Sequence, residues 1–89
     1  MAERTVTIVN ARGLHARSAA KLVAAAKNFD CQIALHLGDK QASCDSMMSL
    51  MMLAAGLGSQ LQVCATGTDE QCALDTICAL IDAGFEEQE

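Results

Sequence analysis

Apolar and polar positions alternate in four short segments of the chain, and this alternation predicts four β-strands. In the first segment Val6 and Ile8 fall on one side, and Thr5 and Thr7 on the other. Gly38 and Asp39 separate the second segment from the third, and this pair predicts a tight hairpin. The four predicted strands cover residues 5–9, 31–37, 40–44 and 61–66.

Apolar residues recur at helical spacing in three further segments, which predict three helices. The first helix covers residues 16–28. Ser46 is a suitable N-cap for a short second helix that ends near Leu53. Thr68 or Asp69 caps the third helix. The apolar stripe of that third helix comprises Leu74, Ile77, Cys78, Ile81 and Phe85.

The order of these elements is β-α-β-β-α-β-α, without an internal repeat or a linker. This order predicts a single α+β domain over residues 1–89, in which helices pack on one face of one sheet. The chain closes with four residues, 86–89, that form an acidic end and are expected to fray.

Composition narrows the class of partners. The formal net charge is −5 and only 2% of residues are aromatic, whereas nucleic-acid-binding domains show a basic stripe or stacking aromatics. The five cysteines include no C-x-x-C pair, so we expect free thiols in a reducing compartment. The N-terminus lacks the apolar core of a signal peptide, and polar residues interrupt the uncharged segment 46–68 too often for a membrane span. We therefore expect a cytoplasmic protein without metal, cofactor or nucleic acid.

One candidate for chemistry lies where the first turn gives way to the first helix. His15 stands at this helix entrance, where backbone N–H groups and the positive end of the helix dipole favour an anion. Arg17 could add charge-assisted hydrogen bonds to a phosphoryl group on the imidazole, and Gly13 permits a close approach of the backbone. Taken alone, these cues favour a histidine that simply caps the helix.

Two segments of the sequence favour a phosphoryl-accepting histidine over one that only caps the helix. Residues 13–19, GLHARSA, resemble the active-site segment of the HPr family, the histidine phosphocarriers of the bacterial phosphotransferase system. Residues 46–53, SMMSLMML, resemble that family's segment around a regulatory serine. Both occur at the family's usual positions, so the resemblance covers essentially the whole chain. It implies an open-faced sandwich, with a four-stranded antiparallel sheet in the order 1-4-2-3 under three helices.

The resemblance also implies roles for individual residues. His15 would accept the phosphoryl group on Nδ1 from enzyme I and pass it to an enzyme IIA protein, while Arg17 would stabilise that group. Ser46 matches the site that HPr kinase/phosphorylase modifies in species that have this enzyme. Such a protein is a carrier in a relay and not a stand-alone catalyst.

The sequence departs from the family at one place and favours one of its branches. Many members have proline where this chain has Ser18, although serine also suits the first turn of a helix. Residues 65–67, residues 84–85 and the methionine run look more like the nitrogen-related branch, NPr, than the sugar-transport branch.

The second helix carries a candidate docking surface. If its leucines and Ala54 face the sheet, its methionines are at least partly exposed, and methionine adapts to several partners. A surface shared with His15 requires the N-termini of the first two helices to meet at one end of the sheet. The expected docking residues are Met47, Met48, Met51, Lys21 and Lys27; simple core filling and a solvated lysine face are the alternative interpretations.

Two other functions stay open on the sequence. The chain could be a regulatory binding module that uses the methionines and Ser46 without carrying phosphate, although such relatives lack the histidine. It could also be a small ligand-binding domain, although it has no glycine-rich phosphate loop and no metal-ligand cluster. We expect the phosphocarrier to be a monomer.

Overall fold

Four strands and three helices follow one another in the predicted order. The computed structural model describes residues 1–86. The elements are β1 (Ala2–Thr7), α1 (Ala16–Ala26), β2 (Cys31–Leu37), β3 (Lys40–Ser43), α2 (Met47–Met52), β4 (Gln60–Gly67) and α3 (Glu70–Asp82), followed by a short 3₁₀ helix (Gly84–Glu86).

The strands form one antiparallel sheet in the order β1-β4-β2-β3. Along each strand one face is apolar and buried by the three helices, while the other face carries polar side chains such as Gln32 and Gln62. This arrangement is typical of antiparallel sheets with one covered face. The predicted α+β fold and the strand order 1-4-2-3 are confirmed.

The predicted element ends needed correction at β1 and α1. The first strand was expected at residues 5–9 but runs over Ala2–Thr7, because its polar N-terminal residues pair with β4 in register. Ile8 is buried and continues the pairing through a bond from its N–H to the Ser59 carbonyl (2.9 Å), whereas Val9 is exposed. The first helix ends at Ala26 instead of residue 28. The other predicted strands and α2 agree with the structure within one residue at each end.

The end of the third helix differs most from its prediction. The predicted apolar stripe is buried, but α3 stops at Asp82, and Phe85 enters the core from the 3₁₀ helix with a left-handed φ of 58°. The Lys21 ammonium donates a hydrogen bond to the Phe85 carbonyl. Glu86 belongs to this turn, and the rest of the expected acidic end lies outside the described residues.

Asp69 occupies the N-cap position of α3, as one of the two predicted caps. Its carboxylate makes no capping bond to that helix. It accepts a hydrogen bond from the Asp30 N–H instead (2.9 Å), and so links the end of the α1–β2 loop to the start of α3. None of the helices within residues 1–86 is long and apolar enough to cross a membrane.

Candidate functional site

His15 is the N-cap residue of α1. Its backbone is extended, with φ −131° and ψ −175°, so the ring can turn back towards the first turn of the helix. There Nδ1 accepts a hydrogen bond from the Arg17 N–H (3.3 Å) and another from the Ser18 N–H. In return the Ser18 hydroxyl accepts a bond from the His15 N–H (2.8 Å), which completes a capping box. The helix start is thus organised around the histidine side chain.

This arrangement determines which nitrogen of the neutral ring carries the lone pair. A nitrogen that accepts hydrogen bonds carries a lone pair, so in the neutral ring the proton resides on Nε2 and the lone pair on Nδ1. The ring is only half-buried, which leaves it within reach of another protein. An anion bonded to Nδ1 would lie at the positive end of α1 beside the amides that now bond the ring.

The loop before His15 is fixed against the segment that follows α2. The Leu14 N–H donates to the Ala55 carbonyl (2.8 Å), and Gly13 has a left-handed φ of 67°. A Cβ atom at Gly13 would lie 2.4 Å from the Ala55 oxygen, so only glycine fits there. The position of the histidine therefore depends on contact between two loops that are distant in sequence.

That contact corrects one expectation about geometry. The N-termini of α1 and α2 were expected to meet, but the hydrogen bond from the His15 loop goes to Ala55, beyond the C-terminal end of α2. Ser46 lies at the opposite end of that helix, which at 1.5 Å per residue is about 9 Å long. The methionines of α2 lie between the two in sequence, so a surface shared with His15 would extend from the C-terminal end of α2 and does not require the two helix N-termini to meet.

Ser46 is the N-cap of α2, as predicted. Its hydroxyl accepts a hydrogen bond from the Ser49 N–H (3.2 Å). Leu50 and Leu53 face the core, but Ala54 does not: it is exposed with a left-handed φ of 55°, and Ala55 is buried instead. The helix has already ended there, so the helical spacing used for the prediction no longer applies.

The structure exposes the three predicted docking methionines. Met48 is 69% exposed, and Met47 and Met51 are about 40% exposed. Met52 was missed, although it is 71% exposed and lies one turn after Met48, so helical spacing could have found it. Leu57, in the loop after α2, is also exposed, and no periodic signal marks it.

Basic residues are concentrated in the first third of the chain. Residues 4–29 contain five of the six cationic side chains of the chain and no acidic one. Arg4 pairs with Asp75 (2.7 Å), and Lys21 is bonded to the C-terminal turn, so these two are already engaged. Arg17 and Lys27 are exposed, and within residues 1–86 neither has a carboxylate at ion-pair distance. These two remain available to an acidic partner.

The cysteines show no arrangement for chemistry. All five are free thiols. Burial raises the pKa of the Cys44 thiol to about 12, which leaves it unreactive near neutral pH. Within the described part of the chain, no three histidine, cysteine or acidic side chains are grouped so that they could hold a metal ion.

Comparisons with known proteins agree with this geometry. The family model for the PTS HPr component phosphorylation site matches residues 2–83. The chain is 48% identical to phosphocarrier protein NPr of Shewanella violacea (96% of this chain, 93% of that protein). It is 45% identical to phosphocarrier protein HPr of Cupriavidus necator over the full length of both. The crystal structure of HPr-C-His from Thermoanaerobacter tengcongensis superimposes with a TM-score of 0.93 at 36% identity, covering all of both chains.

Proposed function

The chain belongs to the HPr family of phosphocarrier proteins, and we propose that it carries a phosphoryl group on Nδ1 of His15. The group would come from phosphorylated enzyme I and pass to an enzyme IIA protein. One observation carries the proposal: the Nδ1 lone pair lies at the N-terminus of α1, where it accepts bonds from the Arg17 and Ser18 amides.

The same atoms suggest how the transfer proceeds. The Nδ1 lone pair attacks the phosphorus, and the bond between phosphorus and the donor nitrogen breaks with its electron pair remaining on the donor. The Nε2 proton stays on the His15 ring during attack, and the ring can release it afterwards. Because Nδ1 then has no lone pair to share, the Arg17 and Ser18 amides are released to the phosphoryl oxygens. The exposed Arg17 guanidinium adds a charged donor.

This proposal is tested by incubating the protein with phosphoenolpyruvate and enzyme I and then measuring its intact mass. The expected result is the gain of one phosphoryl group that is lost in acid and kept in base, as for a phosphoramidate. No gain with an enzyme I preparation that phosphorylates another HPr protein would contradict the carrier function and favour a regulatory binding module.

We assign the chain to the nitrogen-related branch on the residues that resemble it. The proposal is supported by the 48% identity to an NPr protein, although an HPr protein is nearly as similar. Faster phosphorylation by the enzyme I of a nitrogen-related relay than by that of a sugar relay is the expected result. We also propose that the chain acts as a monomer in the cytoplasm, a reducing compartment in which its five thiols would stay reduced.

We propose that the α2 methionines form the docking surface for both donor and acceptor. Met48→Glu should weaken binding to enzyme I at least about tenfold, because it places a charge in the apolar centre of a small interface. Its free energy of unfolding should change by less than about 0.5 kcal/mol, since the side chain is exposed. Calorimetric titration and urea unfolding measure these two quantities.

Ala79→Glu is the matched control for this change. It adds the same charge at an exposed position of α3 and should bind enzyme I like the parent. If Met48→Glu and Ala79→Glu bind enzyme I with equal affinity, the methionines are not part of the docking surface.

Ser46 would act as a charge-controlled site at the rim of that surface. Ser46→Asp keeps an N-cap side chain, so α2 should remain folded. The added negative charge would repel the enzyme I surface, which is acidic in this family, and slow transfer to His15 at low salt. The loss should shrink as salt rises, because mobile ions screen the repulsion.

The measurement is the transfer rate at two ionic strengths, with Thr76→Asp as the control. Thr76 is exposed on α3, so the same charge is added outside α2 and outside the elements that pack against it. If Ser46→Asp and Thr76→Asp transfer equally fast at low salt, Ser46 acts only as a helix cap.

A further inference from the structure

We propose that Asn10 is a positioning residue for the histidine: its side-chain amide holds the Gly13 carbonyl and so orients the His15 ring against the first turn of α1. The effect of Asn10 on phosphoryl transfer rests on the proposed function above. The effect of Asn10 on the orientation of the ring does not rest on that function, because the ring is oriented in the unphosphorylated protein.

Two hydrogen bonds close the turn over residues 10–13. The Gly13 N–H donates to the Asn10 carbonyl (3.2 Å), and the Asn10 Nδ2 donates to the Gly13 carbonyl (2.9 Å). Asn10 is only 3% exposed, and the side-chain bond is buried. Water therefore cannot easily replace the amide, and a buried carbonyl that loses its donor is costly.

The second donor to this carbonyl belongs to α1. The Ser18 hydroxyl lies 3.2 Å from the Gly13 oxygen and 3.1 Å from the His15 oxygen. A hydroxyl has one proton and can donate to only one of these oxygens at a time. When the Ser18 hydroxyl donates to the His15 carbonyl, the Asn10 amide is consequently the donor that still bonds the Gly13 carbonyl. Together the two side chains fix both ends of the segment that carries the imidazole.

Asn10 is itself held from behind by the C-terminal turn. A Cβ atom at Gly84 would lie 3.5 Å from the Asn10 Cβ, so the turn packs directly on this residue. The turn is anchored because Phe85 is completely buried and its carbonyl accepts the bond from Lys21. The anchored C-terminal turn therefore supports Asn10 at its Cβ atom.

This support matters because the amides of α1 can stabilise a phosphoryl group only if Nδ1 faces them beforehand. An error of about 1 Å in the position of a reacting group can cost about 100-fold in rate. Removing the Asn10 donor leaves the Gly13 carbonyl with only the Ser18 hydroxyl, whose single proton it shares with the His15 carbonyl, and the ring then loses its fixed relation to the Arg17 and Ser18 amides. Docking should not change, because Asn10 is buried and cannot touch a partner.

Asn10→Asp tests the proposal because it keeps the size of the side chain and replaces the amide donor by a carboxylate. We expect kcat for phosphorylation by enzyme I to fall roughly 10- to 100-fold with KM unchanged. In NMR spectra of the unphosphorylated protein, the Arg17 and Ser18 amide signals and the His15 ring nitrogens should shift. Asn28→Asp, at the only other asparagine, makes the same charge change at an exposed position and should leave all of these as in the parent.

If circular dichroism shows that Asn10→Asp is unfolded, the same measurements are made on Asn10→Ala. That variant removes the donor without adding a charge. Transfer at the parental rate would overturn the proposal, as would unchanged Arg17, Ser18 and His15 signals. If the parent protein itself is not phosphorylated, the proposed carrier function fails, and the NMR comparison still decides the role of Asn10.

Discussion

His15→Ala is expected to accept no phosphoryl group from phosphorylated enzyme I, whatever the concentration of the donor. The substitution removes Nδ1, and no other group at the N-terminus of α1 offers a lone pair in contact with the first-turn amides in the described structure. The fold should persist, because loss of an N-cap side chain costs about 1 kcal/mol. Intact mass after incubation with phosphoenolpyruvate and enzyme I measures the loss, and urea unfolding verifies the fold.

The chain contains a matched control in its second histidine. His36 lies on β2, on the face of the sheet that the helices leave open, between Gln62 and Gln41 of the neighbouring strands. His36→Ala should gain the same mass as the parent. A phosphoryl group on His15→Ala, or its disappearance from His36→Ala, would show that the acceptor has been assigned to the wrong residue.

Gly13→Ala is expected to lower the free energy of unfolding by about 2–3 kcal/mol. A side chain at a left-handed φ costs about 1–2 kcal/mol. The new Cβ would also lie 2.4 Å from the Ala55 oxygen, so the loops must separate and weaken the bond from the Leu14 N–H, which contributes about 1 kcal/mol. Small domains have a total stability of about 5–15 kcal/mol, so the midpoint of urea unfolding should shift clearly.

Gly38→Ala separates the two causes. Gly38 has a similar φ of 59°, but a Cβ there would meet nothing within 4 Å. The decrease in the free energy of unfolding of Gly38→Ala should be limited to the conformational cost of about 1–2 kcal/mol. Equal losses for the two variants would mean that the close approach of Gly13 to Ala55 does not contribute.

The alternation of apolar residues was sufficient to predict the sheet, because only one of its faces is covered. Val6 and Ile8 are buried as expected, and so are Ile33 and Leu35 of β2. The start of β1 could not be predicted in this way, since its exposed polar residues are held by pairing with β4 and not by burial. Phe85 was recognised as apolar and buried, but its left-handed turn depends on tertiary contacts that leave no periodic signal.

The sequence was sufficient to predict the local positions of the candidate site residues, but not the long-range contacts that hold them. The sequence placed His15 at a helix entrance and Ser46 at an N-cap, since both depend on local residue types. Lys21 was expected to face a partner, yet it bonds a carbonyl 64 residues away. The burial of Asn10 could not be predicted, because nothing local shows that this residue packs against the C-terminal turn.

The capping box at His15 determines how much the protein would have to change its conformation when it is phosphorylated. The amides that bond the empty ring are those that would bond its cargo, so loading exchanges one occupant of a helix end for another. No hinge has to open and no segment has to reorder. The unphosphorylated protein that meets the donor and the phosphorylated protein that meets the acceptor would therefore have the same backbone conformation. They would differ only in the charge at His15. Turnover of such a shuttle would be set by encounter and release, because the shuttle itself has nothing to rearrange.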